Sequence, residues 1–253
     1  PARSEMCIRD SLDAIDTALD CVTTDRALVL TEGVYSMGGD VAPVGELVEI
    51  AHRHGALVVV DDAHGIGTVG PTGRGATEEL PASQRPDVLL GTASKALGVE
   101  GGFACVDETL ATLMRNCARG YVFSSAPSPV VAAGVAAAVE YLRTDTRRVC
   151  SLQANVAQAR LLLAEADLIP PSAAHDRGPI IRIPVGPESR AVAAQEELAR
   201  RGLMVGAIRY PAVARGDAIL RICLTARHTD EHIRILVTSL REVLDGALSD
   251  APR

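Results

Sequence analysis

The sequence contains very little lysine and very few aromatic side chains. Lys95 is its only lysine, although lysine and arginine together number 25, and aromatic residues make up 2% of the chain with no tryptophan. Arginine stays protonated in proteins, whereas a lysine with a lowered pKa can act as an amine nucleophile or a proton shuttle. A single lysine is therefore either an accident of an arginine-rich composition or a residue kept for chemistry, and its neighbours decide between the two.

Other absences exclude whole classes of partner. No apolar run is long enough to span a membrane, and the first residues, P-A-R-S-E-M-C, lack the apolar region of a signal peptide. The net charge is −7 and no basic cluster alternates with aromatic residues, which argues against a nucleic-acid partner. The six cysteines form no C-x-x-C pair, which is typical of reduced thiols in a cytoplasmic protein. The histidine pairs at 52 and 54 and at 228 and 232 are interpreted as helix faces, so no metal site is expected.

The hydrophobic pattern predicts an α/β fold in two parts. Short apolar runs predict buried strands over 27–30, 57–60, 88–90 and 103–106, and the helical spacing between them favours a mainly parallel sheet. We place a boundary near Thr144, beyond which the order strand, helix, strand, strand, helix predicts a small α+β domain. The remaining predicted strands are 180–185, 203–208 and 219–224; the predicted helices are 10–21, 44–54, 108–117, 130–142, 149–166, 189–201 and one beginning at Thr229; and 120–127 is predicted to be a loop.

A glycine motif after the second strand resembles a nucleotide-binding signature without its context. Gly65 to Gly70 reads G-x-G-x-x-G, but the next residues, P-T-G-R-G, cannot begin a regular helix. The dinucleotide fingerprint needs a helix N-terminus to hold the pyrophosphate. A nicotinamide or flavin site is therefore not expected here.

Three features point instead to pyridoxal 5′-phosphate (PLP). Lys95 follows a strand among small residues, where partial desolvation would lower its pKa and favour imine formation. Asp61, at the end of a neighbouring strand and three residues before His64, offers the carboxylate that keeps a pyridine nitrogen protonated. Hydroxyl groups that could hold a phosphate are those of Thr92, Ser94, Ser124 and Ser125. Each feature alone is also compatible with a structural role.

Five ordered motifs resemble those of the α-oxoamine synthases. These are fold-type I PLP enzymes related to 8-amino-7-oxononanoate synthase and glycine C-acetyltransferase. The motifs are T-E-G-V-Y-S-M-G-G-D-V-A-P (31–43), V-V-V-D-D-A-H-G-I-G-T-V-G-P-T-G-R-G (58–75), G-T-A-S-K-A-L-G (91–98), Y-V-F-S-S-A-P (121–127) and I-R-Y-P-A-V-A-R-G-D-A-I-L-R-I-C-L-T-A-R-H-T (208–229). The resemblance covers nearly the whole chain.

The resemblance implies a role for each matching residue. Lys95 resembles the Schiff-base lysine that also moves the α-proton, Asp61 the partner of the pyridine nitrogen, and His64 the residue that hydrogen-bonds the phenolic oxygen of the cofactor. The other implied roles are phosphate binding by Thr92, contact with the phosphate of a neighbouring subunit by Ser124 and Ser125, proximity to the ring for Glu32 and Ser36, carboxylate binding by Arg221, and a further substrate contact by Arg209. Ser94, two residues after Thr92, is expected to contribute its hydroxyl group to the same phosphate. A homodimer with a shared active site is thereby implied.

The implied reaction condenses a small amino acid, such as alanine or glycine, with an acyl-CoA and releases carbon dioxide. It is the chemistry of 8-amino-7-oxononanoate synthase in biotin biosynthesis. Alternatives within the same fold are glycine C-acetyltransferase, another PLP reaction such as transamination or aldol cleavage, and a non-catalytic chain that pairs with a complete relative.

The sequence also departs from the family pattern. The segment 209–214 reads R-Y-P-A-V-A where R-P-P-T-V-P is common, and Gly38 replaces a usual acidic residue. The family's N-terminal part, with its phosphate-binding turn and the ring that stacks on the cofactor, has no counterpart here. Residues 1–144 are thus expected to be the C-terminal portion of the PLP-binding large domain and 145–253 the small domain. A fragment, a truncated reading frame and half of a split enzyme all fit this pattern.

Overall fold

The computed structural model describes residues 11–23 and 26–249, which form two compact units. The first unit contains the described residues up to Val34 together with Ala42–Thr146. The second contains the segment Tyr35–Val41 and the described residues from Arg147 onward. A short piece of chain near the N-terminus therefore packs with the C-terminal unit.

The first unit is built on a four-stranded sheet that is mainly parallel, as predicted. Its strands are β1 (Leu28–Glu32), β2 (Leu57–Asp61), β3 (Val88–Thr92) and β4 (Gly102–Val106), and they lie in this order. The pairs β1–β2 and β2–β3 are parallel, and β4 is antiparallel to β3. Parallel strands end at the same edge, so the carboxyl ends of β1, β2 and β3 share one edge of the sheet.

Five helices lie in the described part of this unit. They are α1 (Leu12–Asp20), α2 (Val44–Arg53), α3 (Glu108–Cys117), α4 (Arg119–Val122) and α5 (Pro129–Thr144). Of these, α1, α3 and α5 begin at a residue whose side chain accepts a hydrogen bond from a free amide group. Ser11 Oγ accepts a hydrogen bond from the Ala14 amide at 3.1 Å, and Asp107 Oδ1 accepts one from the Leu110 amide at 2.7 Å. The helix α4 corrects the prediction of a continuous loop over 120–127, because its single turn follows α3 almost directly.

The histidines at the end of α2 each contact a carboxylate. His54 Nε2 lies 2.6 Å from Asp16 Oδ1 on α1, and His52 Nε2 lies 3.1 Å from Asp87 Oδ2. The hydrogen bond from His54 lowers the pKa of Asp16 below its ordinary value. These contacts tie α2 to α1 and to the residue before β3.

The second unit places three helices on one face of a three-stranded antiparallel sheet. Its elements are α6 (Arg147–Glu165), β5 (Ile180–Gly186), α7 (Glu188–Arg200), β6 (Gly206–Ile208), β7 (Ala218–Cys223) and α8 (Asp230–Ser249), with sheet order β5-β7-β6. Ile181, Ile183 and Leu220 are among its buried core residues, together with Leu163, Leu198 and Leu240 of the helices. The order of elements matches the predicted α+β domain, although β6 is shorter than the predicted 203–208.

Within the described part of the chain, no helix combines the length and the apolar character needed to cross a membrane.

Candidate active site

The carboxyl edge of the first sheet brings several of the predicted site residues together. Glu32 and Asp61, the last residues of β1 and β2, are direct register partners. An open cavity of about 380 Å³ lies at this edge. Its lining includes Asp61 and Thr92, together with Ala63, Leu90, Gly91, Gly102, Phe103 and Ala104. A carboxylate and a hydroxyl group therefore face the same small space.

Asp61 lies where its charge is available to a ligand. Its side chain is exposed, and Oδ1 accepts one hydrogen bond from the Ala63 amide at 3.0 Å. This hydrogen bond holds the carboxylate near the end of the strand. A carboxylate can accept several hydrogen bonds, so Asp61 can still accept others from a ligand. The geometry suits a carboxylate that receives a proton-bearing nitrogen from a ligand.

The next residue, Asp62, is fully buried, and nothing in the sequence distinguishes its carboxyl group from that of Asp61. Its Oδ2 accepts a hydrogen bond from the Ala76 amide at 2.8 Å, while Oδ1 has no hydrogen-bond partner among the described residues. Burial raises the pKa of Asp62 to about 7, and the neighbouring charge of Asp61 adds to the shift against the opposing effect of the Ala76 amide. The carboxyl group of Asp61 is thus exposed to solvent, whereas that of its neighbour Asp62 is buried.

Three glycines make room for the Asp62 carboxyl. A Cβ atom built on Gly33, Gly65 or Gly75 would lie 2.2, 1.9 and 1.9 Å from one of its oxygens. No side chain fits at such distances. Part of the glycine-rich motif at 65–70 therefore encloses a carboxyl group. Residues 62–75 form turns rather than a helix, as the residues after the motif predict.

His64 lies in the turn directly after the two aspartates. The turn is held by hydrogen bonds from the Gly65 and Ile66 amides to the Asp62 carbonyl at 3.1 and 3.0 Å. Thr68 Oγ1 also donates to the His64 carbonyl at 2.6 Å. The backbone of this half-buried histidine is fixed relative to Asp61 by these contacts.

The loop that follows β3 carries Lys95 between two fixed ends. Thr92 Oγ1 donates to the Gly101 carbonyl at 3.2 Å, accepts from the Ser94 amide at 3.2 Å and lies 2.8 Å from Ser94 Oγ. Lys95 itself is exposed, which corrects the expectation that the small residues around it would desolvate it. The small residues next to Lys95 are too short to cover its long side chain, which would be buried only if another element packed over the loop.

Ser124 and Ser125 are not among the residues that line the cavity. Both are exposed in the segment between α4 and α5, and Ser124 Oγ donates to the Gly120 carbonyl. Large apolar side chains nearby are also exposed, including Phe123 at 80% and Val130 at 81%. This segment therefore presents hydroxyl groups beside an uncovered apolar surface.

The second unit contains the remaining predicted residues. Arg221 on β7 donates from Nε to the Ser36 carbonyl at 2.7 Å and from Nη1 to Cys223 Sγ at 2.9 Å. Ser36 thus contributes its backbone to fixing the arginine. Arg209 follows β6 with an exposed side chain and does not join this contact.

No group of three or more histidine, cysteine, aspartate or glutamate side chains in the described residues could hold a metal ion. The groups assembled at the carboxyl edge of the first sheet are instead a carboxylate, hydroxyls and, in the adjoining loop, one primary amine.

Comparison with known proteins identifies a family for almost the whole chain. The model of the family "Aminotransferase class I and II" matches residues 8–240. The biotin biosynthesis bifunctional protein BioWF of Cutibacterium acnes is 97% identical over 252 residues, which are 100% of this chain and 39% of that protein. The 8-amino-7-oxononanoate synthase of Halorhodospira halophila is 44% identical over 90% of this chain and 56% of its own length.

A solved structure gives the same answer for the fold. The serine palmitoyltransferase of S. paucimobilis, solved with a bound PLP–myriocin aldimine, superposes with a TM-score of 0.87 at 28% identity. The match covers 95% of this chain and 60% of that one. The chain thus spans about two fifths of the bifunctional relative and little more than half of the other two proteins.

Proposed function

Because the chain belongs to the aminotransferase class I and II family, we propose that it catalyses PLP-dependent acyl transfer from an acyl-CoA to a small amino acid, as in 8-amino-7-oxononanoate synthase. The observation that carries this proposal is the meeting of Asp61 and Thr92 at one cavity, next to the loop that bears the only lysine. The relatives named BioWF and 8-amino-7-oxononanoate synthase supply the reaction class.

The residues of the first unit fit PLP by their chemistry. Lys95 Nζ would hold the cofactor's carbonyl carbon, Asp61 its pyridine nitrogen, His64 its phenolic oxygen, and Thr92 with Ser94 its phosphate. When bound, PLP supplies an electron sink for negative charge at the α-carbon of the substrate. We assign Glu32 to the surroundings of the ring because it is the register partner of Asp61.

Each of these side chains has a distinct task. The Asp61 carboxylate keeps a proton on the nitrogen that it faces, since an ionised carboxylate stabilises an adjacent cation. Lys95 takes the α-proton of the amino acid at Nζ, a role that arginine cannot fill because it does not deprotonate. Arg221 and Arg209 bind the substrate, and Arg221 does so through its planar guanidinium, which suits a carboxylate. Ser36 fixes Arg221 through its carbonyl group.

We further propose a cytoplasmic homodimer with a shared active site. Support comes from Ser124 and Ser125, which lie beside the exposed Phe123 and Val130, because exposed apolar surface of this kind is typical of an interface. The five cysteines among the described residues are free. We assign residues 1–144 to the PLP-binding domain and 145–253 to the small domain, except that the segment Tyr35–Val41 belongs to the second unit and the first unit extends to Thr146.

The direct test is a condensation assay. Purified protein is incubated with PLP, alanine or glycine and a series of acyl-CoAs, and release of free CoA and carbon dioxide is measured. Equal amounts of both products that depend on the amino acid support the proposal. Amino-group transfer or carbon–carbon cleavage that needs no acyl-CoA would instead show another reaction on the same fold.

A further inference from the structure

One face of the small sheet in the second unit packs into the hydrophobic core, and the other carries Arg182 and Arg221 beside the buried Ile180 and Ile219. Ile181, Ile183 and Leu220 point toward the helices and are buried in the core. Side chains alternate along a strand, so Arg182 and Arg221 point to the opposite face. Arg182 is exposed and Arg221 is half-buried, in agreement with that alternation.

Arg182 and Arg221 are direct register partners across the antiparallel pair β5–β7. Residues at such positions place their side chains on the same face, with Cα atoms roughly 4.5–5.5 Å apart. Like charges directly opposite one another destabilise a sheet. On the other side of Arg221 the register partner is Gly206, which has no side chain. A Cβ atom there would lie 3.9 Å from Ile208 Cδ1, so a small side chain would already touch its neighbour.

No carboxylate compensates this pair among the side chains that the structure describes. Arg182 has neither a hydrogen bond nor an ion pair there, and the two partners of Arg221 are a neutral carbonyl and a thiol. The contact to the Ser36 carbonyl fixes Arg221 Nε, and Nη2 has no partner within this described set. Two adjacent positive charges, one exposed and one half-buried, thus lie on the same face of the sheet without a carboxylate partner among the described side chains.

The segment Tyr35–Val41 holds one end of this arrangement in place. Gly39, with φ of +79°, approaches β5 so closely that a Cβ atom would lie 1.8 Å from the Ile180 carbonyl oxygen. Only glycine allows this approach. The Ser36 carbonyl is thereby held against Arg221, and the guanidinium is oriented before any ligand binds.

We propose that Arg182 is a second carboxylate-binding residue and that it shares with Arg221 the carboxylate of the amino-acid substrate. This inference deepens the proposed function, in which Arg221 alone has that role. A carboxylate between two guanidiniums relieves their mutual repulsion and accepts charge-assisted hydrogen bonds from both. Arg182 is therefore a determinant of amino-acid affinity, with no part in moving the α-proton.

The first test measures thermal unfolding of the 253-residue chain at low ionic strength, with sodium acetate as the carboxylate probe and sodium chloride as the control for ionic strength. We expect acetate to raise the Tm of the wild type above the value in chloride. Arg182→Gln removes the repulsion, so its Tm without acetate is equal to or higher than that of the wild type, and its specific response to acetate is lost. Arg234→Gln, which removes an exposed charge on α8, keeps the wild-type response.

The second test uses the condensation assay. Arg182→Gln should raise the KM for the amino acid about tenfold and leave kcat within about twofold, since the interaction lost is formed equally in the ground state and the transition state. Arg182→Lys should recover part of the affinity because it restores the charge without the planar fork.

The outcomes separate this inference from the proposed function. If the protein is inactive in condensation but acetate still raises its Tm in a way that depends on Arg182, the carboxylate site is supported and the proposed reaction is wrong. An active enzyme in which Arg182→Gln retains both the acetate response and the KM of the wild type overturns the inference.

Discussion

Asp62 Oδ2 accepts a hydrogen bond of 2.8 Å from the Ala76 amide, whereas Oδ1 of the same buried carboxyl group has no such partner among the described residues. One amide does not replace the water that a carboxylate loses on burial. The neutral form is favoured for this reason, and the pKa of Asp62 rises to about 7. Directly beside it, Asp61 keeps an exposed carboxylate at the cavity.

Asp62 makes the stability of the chain dependent on pH. A folded-state pKa raised from 3.8 to about 7 means that the folded form binds more protons between these values, so stability falls as pH rises through this window. The full loss amounts to roughly 4 kcal/mol in the free energy of unfolding. We expect Asp62→Asn, which cannot ionise, to remove most of this loss, as measured by urea denaturation between pH 4 and 8.

The matched control for this experiment is Glu100→Gln, which removes an exposed carboxyl group from the same unit. It should retain the pH dependence of the wild type. If Asp62→Asn also retained it, Asp62 would be ionised in the folded protein at pH 5 and the account of its burial would be wrong.

Gly65 is required by the position of the Asp62 carboxyl group. In Gly65→Ala the new Cβ would lie 1.9 Å from Oδ1, and both the turn and the carboxyl would have to move. We expect a loss of about 1–3 kcal/mol in the free energy of unfolding, the usual cost of overpacking. Gly120→Ala adds the same methyl group where no atom beyond its chain neighbours and its own helix backbone lies within 4 Å, and denaturation curves should show it close to the wild type.

The charge of Asp61 is expected to matter for catalysis more than for folding. Asp61→Asn preserves an acceptor for the Ala63 amide but cannot stabilise a protonated nitrogen. We predict that kcat in the condensation assay falls roughly 100-fold or more, a typical effect of losing a group that controls a proton. An Asp61→Asn enzyme with normal kcat and normal PLP content would remove Asp61 from the proposed site.

Thr92 connects the end of β3 to the loop that carries Lys95. Thr92→Val keeps the shape but loses the hydrogen bonds with the Gly101 carbonyl, the Ser94 amide and Ser94 Oγ. We expect weaker PLP binding by about tenfold, measured by equilibrium dialysis, because a phosphate ligand and the loop anchor are lost together. Thr92→Ser, which keeps the hydroxyl group, should restore most of the affinity; equal affinities for both variants would exclude a role for the hydroxyl.

The sequence predicted the strands and most of the helices because their apolar periods are regular. It also excluded a helix after the glycine motif at 65–70, since Pro71 and Gly73 follow it. It missed α4 because one helical turn around Gly120 is too short to show a period. The strand predicted over 203–208 begins only at Gly206, because an apolar run does not reveal which of its residues pair.

The burial of Asp62 and the pairing of Arg182 with Arg221 could not be predicted in the same way. Asp61 and Asp62 are chemically identical neighbours, and only their positions at the strand end make one exposed and the other buried. Arg182 is 39 residues from Arg221 along the chain, and their pairing depends on the register of β5 and β7. The exposure of Lys95 likewise depends on what packs over its loop, which its small neighbours do not specify.

The most direct test of the central claim is the attachment of PLP to Lys95. The protein is incubated with PLP, reduced with borohydride and digested, and the modified peptide is identified by mass spectrometry. We expect one pyridoxyl group per chain, on Lys95, and none in the folded Lys95→Arg variant, whose guanidinium keeps the charge but forms no imine. Folded wild-type protein that is left unlabelled at Lys95 would contradict the assignment of this chain as a PLP-binding catalytic unit.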